Sequence, residues 1–331
     1  MKALTMGICA MFLAMVPCIS IPGQTPAPSS STLEEMLASQ AIPPAWFDST
    51  PIEYDLTKPW SEARNEIRRL LSTNDPNHLR QAIKMTVLYA QKKDIGNGHE
   101  LPMYLFMGGE FAWAILEYRK FLQPVLDDPI AQGDTHGFDC LAACYLHFNE
   151  CDMAIQTMEA ALLHLPDPPY RDFNAANAHN RLGDAYRAKG DLDKAREHYE
   201  MAIGLYRDSK QPFGRHLLPR RIEIIQDKIE RMTAAATDWT RLPDGRYTAS
   251  ALGYSDMLDA TVIVRGGRIV QVDVAHHEKI ELGAAKIIPG RIVASQSLDV
   301  DGVTGATVTC QAILSATHAA LKKAAQAQGG Q

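Results

Sequence analysis

The sequence predicts an all-α helical-repeat unit followed by a small α+β unit, and three observations carry that prediction. From about residue 61 to 235, apolar and small residues recur at helical spacing, and two segments share one register. Beyond them, two runs rich in β-branched residues, 260–264 and 268–274, flank Arg265-Gly266-Gly267, a strong hairpin signal. Last, Ile313, Leu314, Thr317, Ala320 and Leu321 return to helical spacing, so the chain is expected to close on a helix packed against a small sheet.

A chain of 331 residues with 46% hydrophobic and 22% charged content has the composition of an ordinary globular protein and the length for two domains with real cores. Its formal charge of -6, without a long Lys/Arg run, argues against a phosphate-tracking surface, so nucleic acid is not an expected partner.

The first 22 residues read as a signal peptide. Lys2 precedes an apolar run from Met6 to Ile21 that is broken by Pro17. The run is short for a permanent span, which takes about 20 apolar residues. Export with cleavage between Ser20 and Ala27 is the expectation, placing the mature chain in the periplasm or on the extracytoplasmic face of the membrane. Cys18 raises the alternative of lipid anchoring, although Val16-Pro17 before it is a poor match to the small residues such a site needs. With the signal removed, Cys140, Cys144, Cys151 and Cys310 remain, and the sequence does not choose among their pairings. Cys140 and Cys144 invite a metal reading with His147, against buried thiols on an apolar helix. Without a Cys-x-x-Cys-His motif, covalently attached c-type haem is excluded on motif grounds.

Residues 23–60 read as a Pro/Ser-rich linker passing into an irregular segment, with Pro43-Pro44, Pro51 and Pro59 interrupting any long helix. In the repeat region, Leu182, Gly183, Tyr186, Gly190, Ala195, Tyr199 and Ala202 form one copy. Leu141, Ala142, Tyr145, Ala154, Met158, Ala161 and Pro166 form another, with Asn149 where the turn glycine would stand. This pattern resembles the tetratricopeptide repeat. A weaker third copy includes Gly109, Ala114, Tyr118 and Phe121, preceded by the helical pattern from Leu79 to Tyr89. Stacked helix pairs of this kind form a short solenoid, read as a docking surface for a protein partner or as a structural spacer or dimer surface. Arg220-Arg221 opens a terminal helix expected to carry a solvated charged face. Thr233 to Thr237 reads as the hinge before Trp239, so the repeats span 61–235 and the second domain 236–331.

Within that second domain, Asp301-Gly302-Val303-Thr304-Gly305-Ala306-Thr307-Val308-Thr309 resembles the flavinylation motif of the FMN-binding domain family. The stretch Asp244 to Tyr254 resembles that family's opening strand, and Gln296 to Asp301, including Leu298, its lead-in to the motif. The resemblance implies FMN as cofactor, tied by a phosphoester bond to Thr307, with Thr309 as the alternative hydroxyl. It implies that Asp301, Thr304, Gly305 and Ala306 shape the turn, that the loop at Gly253 and Tyr254 lies near the flavin, and that a separate flavin transferase makes the bond. The residues themselves supply a rationale, since a small flexible turn at a helix start brings backbone N–H groups and the positive end of a dipole to a phosphate. The family's flavin domains occur in sodium-pumping NADH:quinone reductases and related electron-transport complexes. The expected protein is therefore a membrane-associated electron carrier docked to a redox partner through its repeats. The alternatives are a non-catalytic scaffold whose flavin domain is weak or vestigial, and an accessory to a reductase whose catalytic subunit is a separate chain. His276-His277 leaves open a proton relay or two solvent-facing or capping histidines, and Cys310 a redox-active or a buried thiol.

Overall fold

The computed structural model describes residues 30–73, 75–93, 95, 99–133, 135–233, 242–278, 281–300, 302–303 and 306–329, without the side chains of 30–32, 233, 307 and 328–329. The signal segment and the hinge at 234–237 with Trp239 therefore lie outside the described residues.

The first unit is helical throughout. Its helices are α1 (Ser30–Ser39), α2 (Trp46–Ser49), α3 (Trp60–Ser72), α4 (Pro76–Gln91), α5 (Glu100–Met107), α6 (Phe111–Leu126), α7 (His136–His147), α8 (Cys151–Leu163), α9 (Arg171–Lys189), α10 (Leu192–Asp208) and α11 (Leu218–Thr233). Neighbours pack in sequence as α3/α4, α5/α6, α7/α8 and α9/α10, and α11 covers α10. The stretch read as linker and irregular chain contains α1 and α2, and Leu33, Leu37 and Phe47 are buried in the same core as Trp113 and Tyr118. The prolines there stop long helices without preventing short ones.

Three of the turns between paired helices are built alike. Gly109, Asn149 and Gly190 take the left-handed conformation with φ of 90°, 59° and 88°. At each, the next residue (Glu110, Glu150 or Asp191) donates its N–H to the carbonyl five residues back, on Leu105, Tyr145 or Tyr186, at 2.9 Å. Its own carbonyl then accepts the N–H of Ala114, Ala154 or Ala195 at 2.8 to 3.0 Å, starting the second helix. The weaker copy therefore shares the turn geometry of the other two. Its first helix is α5, and the helical pattern from Leu79 to Tyr89 that precedes it lies in α4, which pairs with α3. Gly183 explains the close approach within the last pair, because a Cβ there would come within 2.5 Å of the Tyr199 ring.

The second unit is a three-stranded antiparallel meander, β1 (Gly245–Leu252), β2 (Met257–Arg265) and β3 (Arg268–Ala275) in the order β1-β2-β3, with α12 (Ala284–Ser295) and α13 (Thr307–Gly329) against it. Gly266 and Gly267 both have positive φ, the requirement of a two-residue type I′ hairpin. Register shifts at Ile263/Val264, which pair with Gln271 and Ile269, leaving Val270 as the bulged residue. Inward-facing Leu258, Ala260, Val262 and Val264 meet Ile313, Leu314, Ala320 and Leu321 of α13 and Ile288 and Ile292 of α12 in one core. Pro289-Gly290 does not interrupt α12. Pro289 is buried within the helix, where the fit against the sheet offsets one missing backbone hydrogen bond.

Side chains of α9 and α11 tie the units together. Asp227 accepts from Ser315 Oγ at 2.7 Å and lies 3.1 Å from Nδ1 of the buried His318. Arg187 pairs with Asp299 at 2.5 Å, Arg231 donates to Gln311 at 3.2 Å, and Lys322 bonds Glu230. Arg220 and Arg221 are not a solvated face. Arg221 lies over the Phe173 ring at 5.1 Å, and Arg220 donates to the carbonyls of Gly253 and Tyr254 at 2.9 and 2.5 Å.

Candidate functional site

The site forms where the β1–β2 loop, the chain after β3 and the first turn of α13 converge, and Glu278 joins all three. Its carboxylate accepts the backbone N–H groups of Tyr254 and Ser255 at 2.8 Å and of Asp256 at 3.3 Å, together with the Thr309 hydroxyl at 2.6 Å. Three successive amides aimed at one anion form a nest, an anion-receptive backbone arrangement. Burial works against the charge, but the bonds from Thr309 and the three amides outweigh it and hold the Glu278 carboxyl below its ordinary range.

Gly253 is required by this packing. A Cβ at that position would lie 2.4 Å from Glu278 Oε1 and 2.9 Å from the Asp256 carbonyl oxygen. The Gly253 N–H also bonds that carbonyl at 2.8 Å, which curls the loop. Tyr254, beside it, is exposed. Arg220 grips the loop from the helical unit through the two carbonyls noted above, so the nest is held from both sides.

The lead-in to α13 is fixed from beneath. Leu298, Val300 and Val303 are partly buried against the core, and Ala306 is buried within it. Arg291 donates to the Gly302 carbonyl at 3.2 Å, while the Val303 N–H approaches Cys310 Sγ at 3.1 Å. Cys310 is fully buried, and burial pushes its thiol up to about 11, so it behaves as a structural thiol. The four cysteines of the described residues are all buried and free. His276 serves as a local cap, its Nδ1 accepting the Glu278 N–H at 3.2 Å.

Of the residues singled out from the sequence, Gly253, Tyr254 and Thr309 come together through Glu278, and Leu298 and Ala306 support the turn. Asp301, Thr304 and Gly305 lie outside the described residues. Thr307 is the first residue of α13, and its side chain is also outside them. Thr309 does not suit the role of alternative attachment point, because its hydroxyl is 1% exposed and already engaged by Glu278. Sequence reasoning missed Glu278 and Arg220, whose roles depend on contacts 22 to 34 residues away along the chain. A shallow concavity lined by Asp244, Arg246, Ile263 and Arg265 is at the opposite end of β1 and β2 from this loop and has no part in the site.

A glycine-dependent loop, an amide nest and a helix start on a small sheet, preceded by stacked helix pairs, define a repeat protein with an anion-receptive α+β domain. Residues 253–322 match the FMN-binding domain family, and residues 176–209 match the tetratricopeptide repeat. The chain therefore carries an FMN-binding domain preceded by tetratricopeptide-like repeats. It is also similar to an uncharacterized protein of Treponema pallidum (strain Nichols), 34% identical over 100 residues, which are 29% of this chain and 28% of that protein. The chain thus spans under a third of that relative's length. Among solved structures, the MamA RS-1 ArsTM double mutant aligns with 52% of this chain and 95% of its own at 18% identity and a TM-score of 0.32.

Proposed function

We propose that this chain is an exported electron-transfer flavoprotein in which FMN is held at the start of α13, ester-linked through its phosphate to Thr307 by a separate flavin transferase. The observation that carries the reading is the position of Thr307 as the first residue of α13, within a matched FMN-binding domain and beside a loop whose amides already hold an anion. The donor chemistry fits the group. The N–H groups at a helix start suit a phosphate, and Gly253 lets the neighbouring loop close tightly over Glu278.

When bound, FMN supplies electron transfer through its isoalloxazine ring. The chain's own part is to seat the phosphate at the amides of the first turn, to present the Thr307 hydroxyl for esterification, and to hold the 253–256 loop through Glu278 and Arg220. Ester attachment would keep the cofactor on the protein outside the cytoplasm. The repeats would dock the flavin domain to a redox protein at the extracytoplasmic face of the membrane. Among the described residues no helix is long and apolar enough to cross a bilayer, so association with a membrane would come from a partner or from the N-terminal segment.

The test is to produce the full chain together with a flavin transferase, denature it in acid, and record its absorbance and the mass of its peptides. The expected result is yellow colour that stays with the polypeptide and an FMN adduct on the peptide containing Thr307, lost in Thr307→Ala and kept in Thr309→Ala. Flavin that separates from the denatured chain would leave a non-covalent flavin protein, and no flavin at all a repeat scaffold.

A further inference from the structure

Outside the flavin domain, the helical unit brings together three side chains with the chemistry of a metal centre. His99 caps the N-terminus of α5, His136 is the first residue of α7, and Cys140 follows His136 by one turn on the same face. One ligand atom from each lies within 4.8 Å of the others. His136 Nδ1 and Cys140 Sγ are 3.9 Å apart, and the two imidazole centroids are 4.4 Å apart. Bond lengths of about 2.0–2.1 Å to nitrogen and 2.3 Å to sulfur put neighbouring donors of a tetrahedral zinc roughly 3.3–3.6 Å apart, so small rotations of His136 and Cys140 toward the packed His99 ring close the set.

The surroundings favour a metal over simple packing. His99 is buried, with its ring set among Tyr118 at 5.8 Å and Phe121 at 5.9 Å on α6, so its orientation is fixed before any ion arrives. Cys140 is 6% exposed, while His136 is exposed, giving the cluster one face toward solvent. Asp139 does not compete as a ligand because Arg181 holds both of its oxygens, at 2.7 and 3.1 Å. The other comparable cluster, Asp227, Glu230 and His318, is taken up by bonds to Ser315 and Lys322 between the units and to Arg231 within α11.

We infer that His99, His136 and Cys140 form a zinc site that clasps the start of α5 to the start of α7, with water as the fourth ligand on the exposed side. Two imidazoles and a thiolate are a borderline-to-soft donor set suited to zinc, and binding converts the Cys140 thiol to a thiolate, releasing its proton to solvent. The site does not involve Cys144 or His147, and it stands whether or not the flavin reading holds.

The experiment uses the full chain, stripped with a chelator and titrated with Zn²⁺ against a chromophoric competitor, then loaded with Co²⁺ for absorbance. Equimolar zinc and a thiolate-to-cobalt charge-transfer band are expected. His136→Gln, at an exposed helix start, should weaken zinc by at least about 10- to 100-fold, the loss that even an outer partner of a zinc ligand causes. Cys140→Ser should abolish the band, and Cys144→Ser should keep both signals. Failure to bind equimolar zinc, an unchanged affinity in His136→Gln, or loss of the signals in a folded Cys144→Ser variant would each overturn the assignment. Because His136 is not a core residue, its variant decides the matter even if Cys140→Ser fails to fold.

Discussion

The Thr309 hydroxyl, buried in the first turn of α13, donates a 2.6 Å hydrogen bond to Glu278, which lies 31 residues earlier in the chain. Through this bond the helix start and the β1–β2 loop share one carboxylate. Replacing Glu278 with Ala leaves the Thr309 donor and the amides of Tyr254 and Ser255 to find other partners. A buried donor without a partner costs about 1–3 kcal/mol. The urea midpoint of Glu278→Ala is expected to fall accordingly, with faster amide exchange in the 253–256 loop. An unchanged midpoint and unchanged exchange would mean that the carboxylate does not hold the loop.

Gly183 and Tyr199 give the corresponding test in the repeats. Alanine at 183 would put a methyl group 2.5 Å from the Tyr199 ring, and that ring is buried with its hydroxyl fixed 2.7 Å from Asp184. The ring cannot turn away without breaking that bond, so α9 and α10 must separate. Overpacking of this kind costs about 1–3 kcal/mol. Gly183→Ala is expected to lower the thermal midpoint of the helical unit; a variant of wild-type stability would show that the two helices have room to spare.

The turn at Asn149 makes a subtler prediction. Its φ of 59° matches the conformation of Gly109 and Gly190 in the equivalent turns. A left-handed backbone costs an ordinary residue about 1–2 kcal/mol, while asparagine and glycine tolerate it. Asn149→Gly should therefore be close to neutral and Asn149→Ala destabilising by about 1 kcal/mol, both measured by urea unfolding. Equal stability of the two variants would count against the shared turn design.

Much of this architecture is legible in the sequence because it is written in local patterns. The hairpin at Gly266-Gly267, the helix from Thr307 and the turns at Asn149 and Gly190 each depend on residues within one element. The first helix of the third copy, α5, is only eight residues long and has too few turns to show a period, whereas the pattern from Leu79 to Tyr89 before it is plain in the sequence and forms α4. Pro289 shows the limit of local pattern: a helix breaker is tolerated inside α12 where burial against the sheet is strong. At the site, the motif and the Gly253-Tyr254 loop could be read, but Glu278 and Arg220 could not. An isolated carboxylate and an arginine on an amphipathic helix carry no local mark of the backbone groups they will bind. The His99–His136–Cys140 cluster is of the same kind, since the sequence suggests Cys144 and His147 as Cys140's neighbours and the fold chooses others.

Strong acid should weaken the joint between α9, α10 and α11. Asp184 there accepts from Lys228 Nζ and from the Tyr199 hydroxyl, each at 2.7 Å, with Arg181 3.6 Å away. Burial alone would raise its carboxyl, but Lys228 and Arg181 pull it down to about 2 from 3.8. Because the folded value lies below the unfolded one, the ionised carboxylate favours the folded state fully above pH ~4 and loses that contribution as the pH falls toward ~2. At about 1.4 kcal/mol per unit, the shift is worth on the order of 2 kcal/mol. Asp184→Asn should therefore be less stable than wild type at pH 7 by at least that order, since Lys228 is left buried without its charged partner. The difference between the two proteins should shrink between pH 4 and pH 2. Urea unfolding of both across that range measures it, and two parallel stability curves would show that Asp184 does not carry the acid sensitivity.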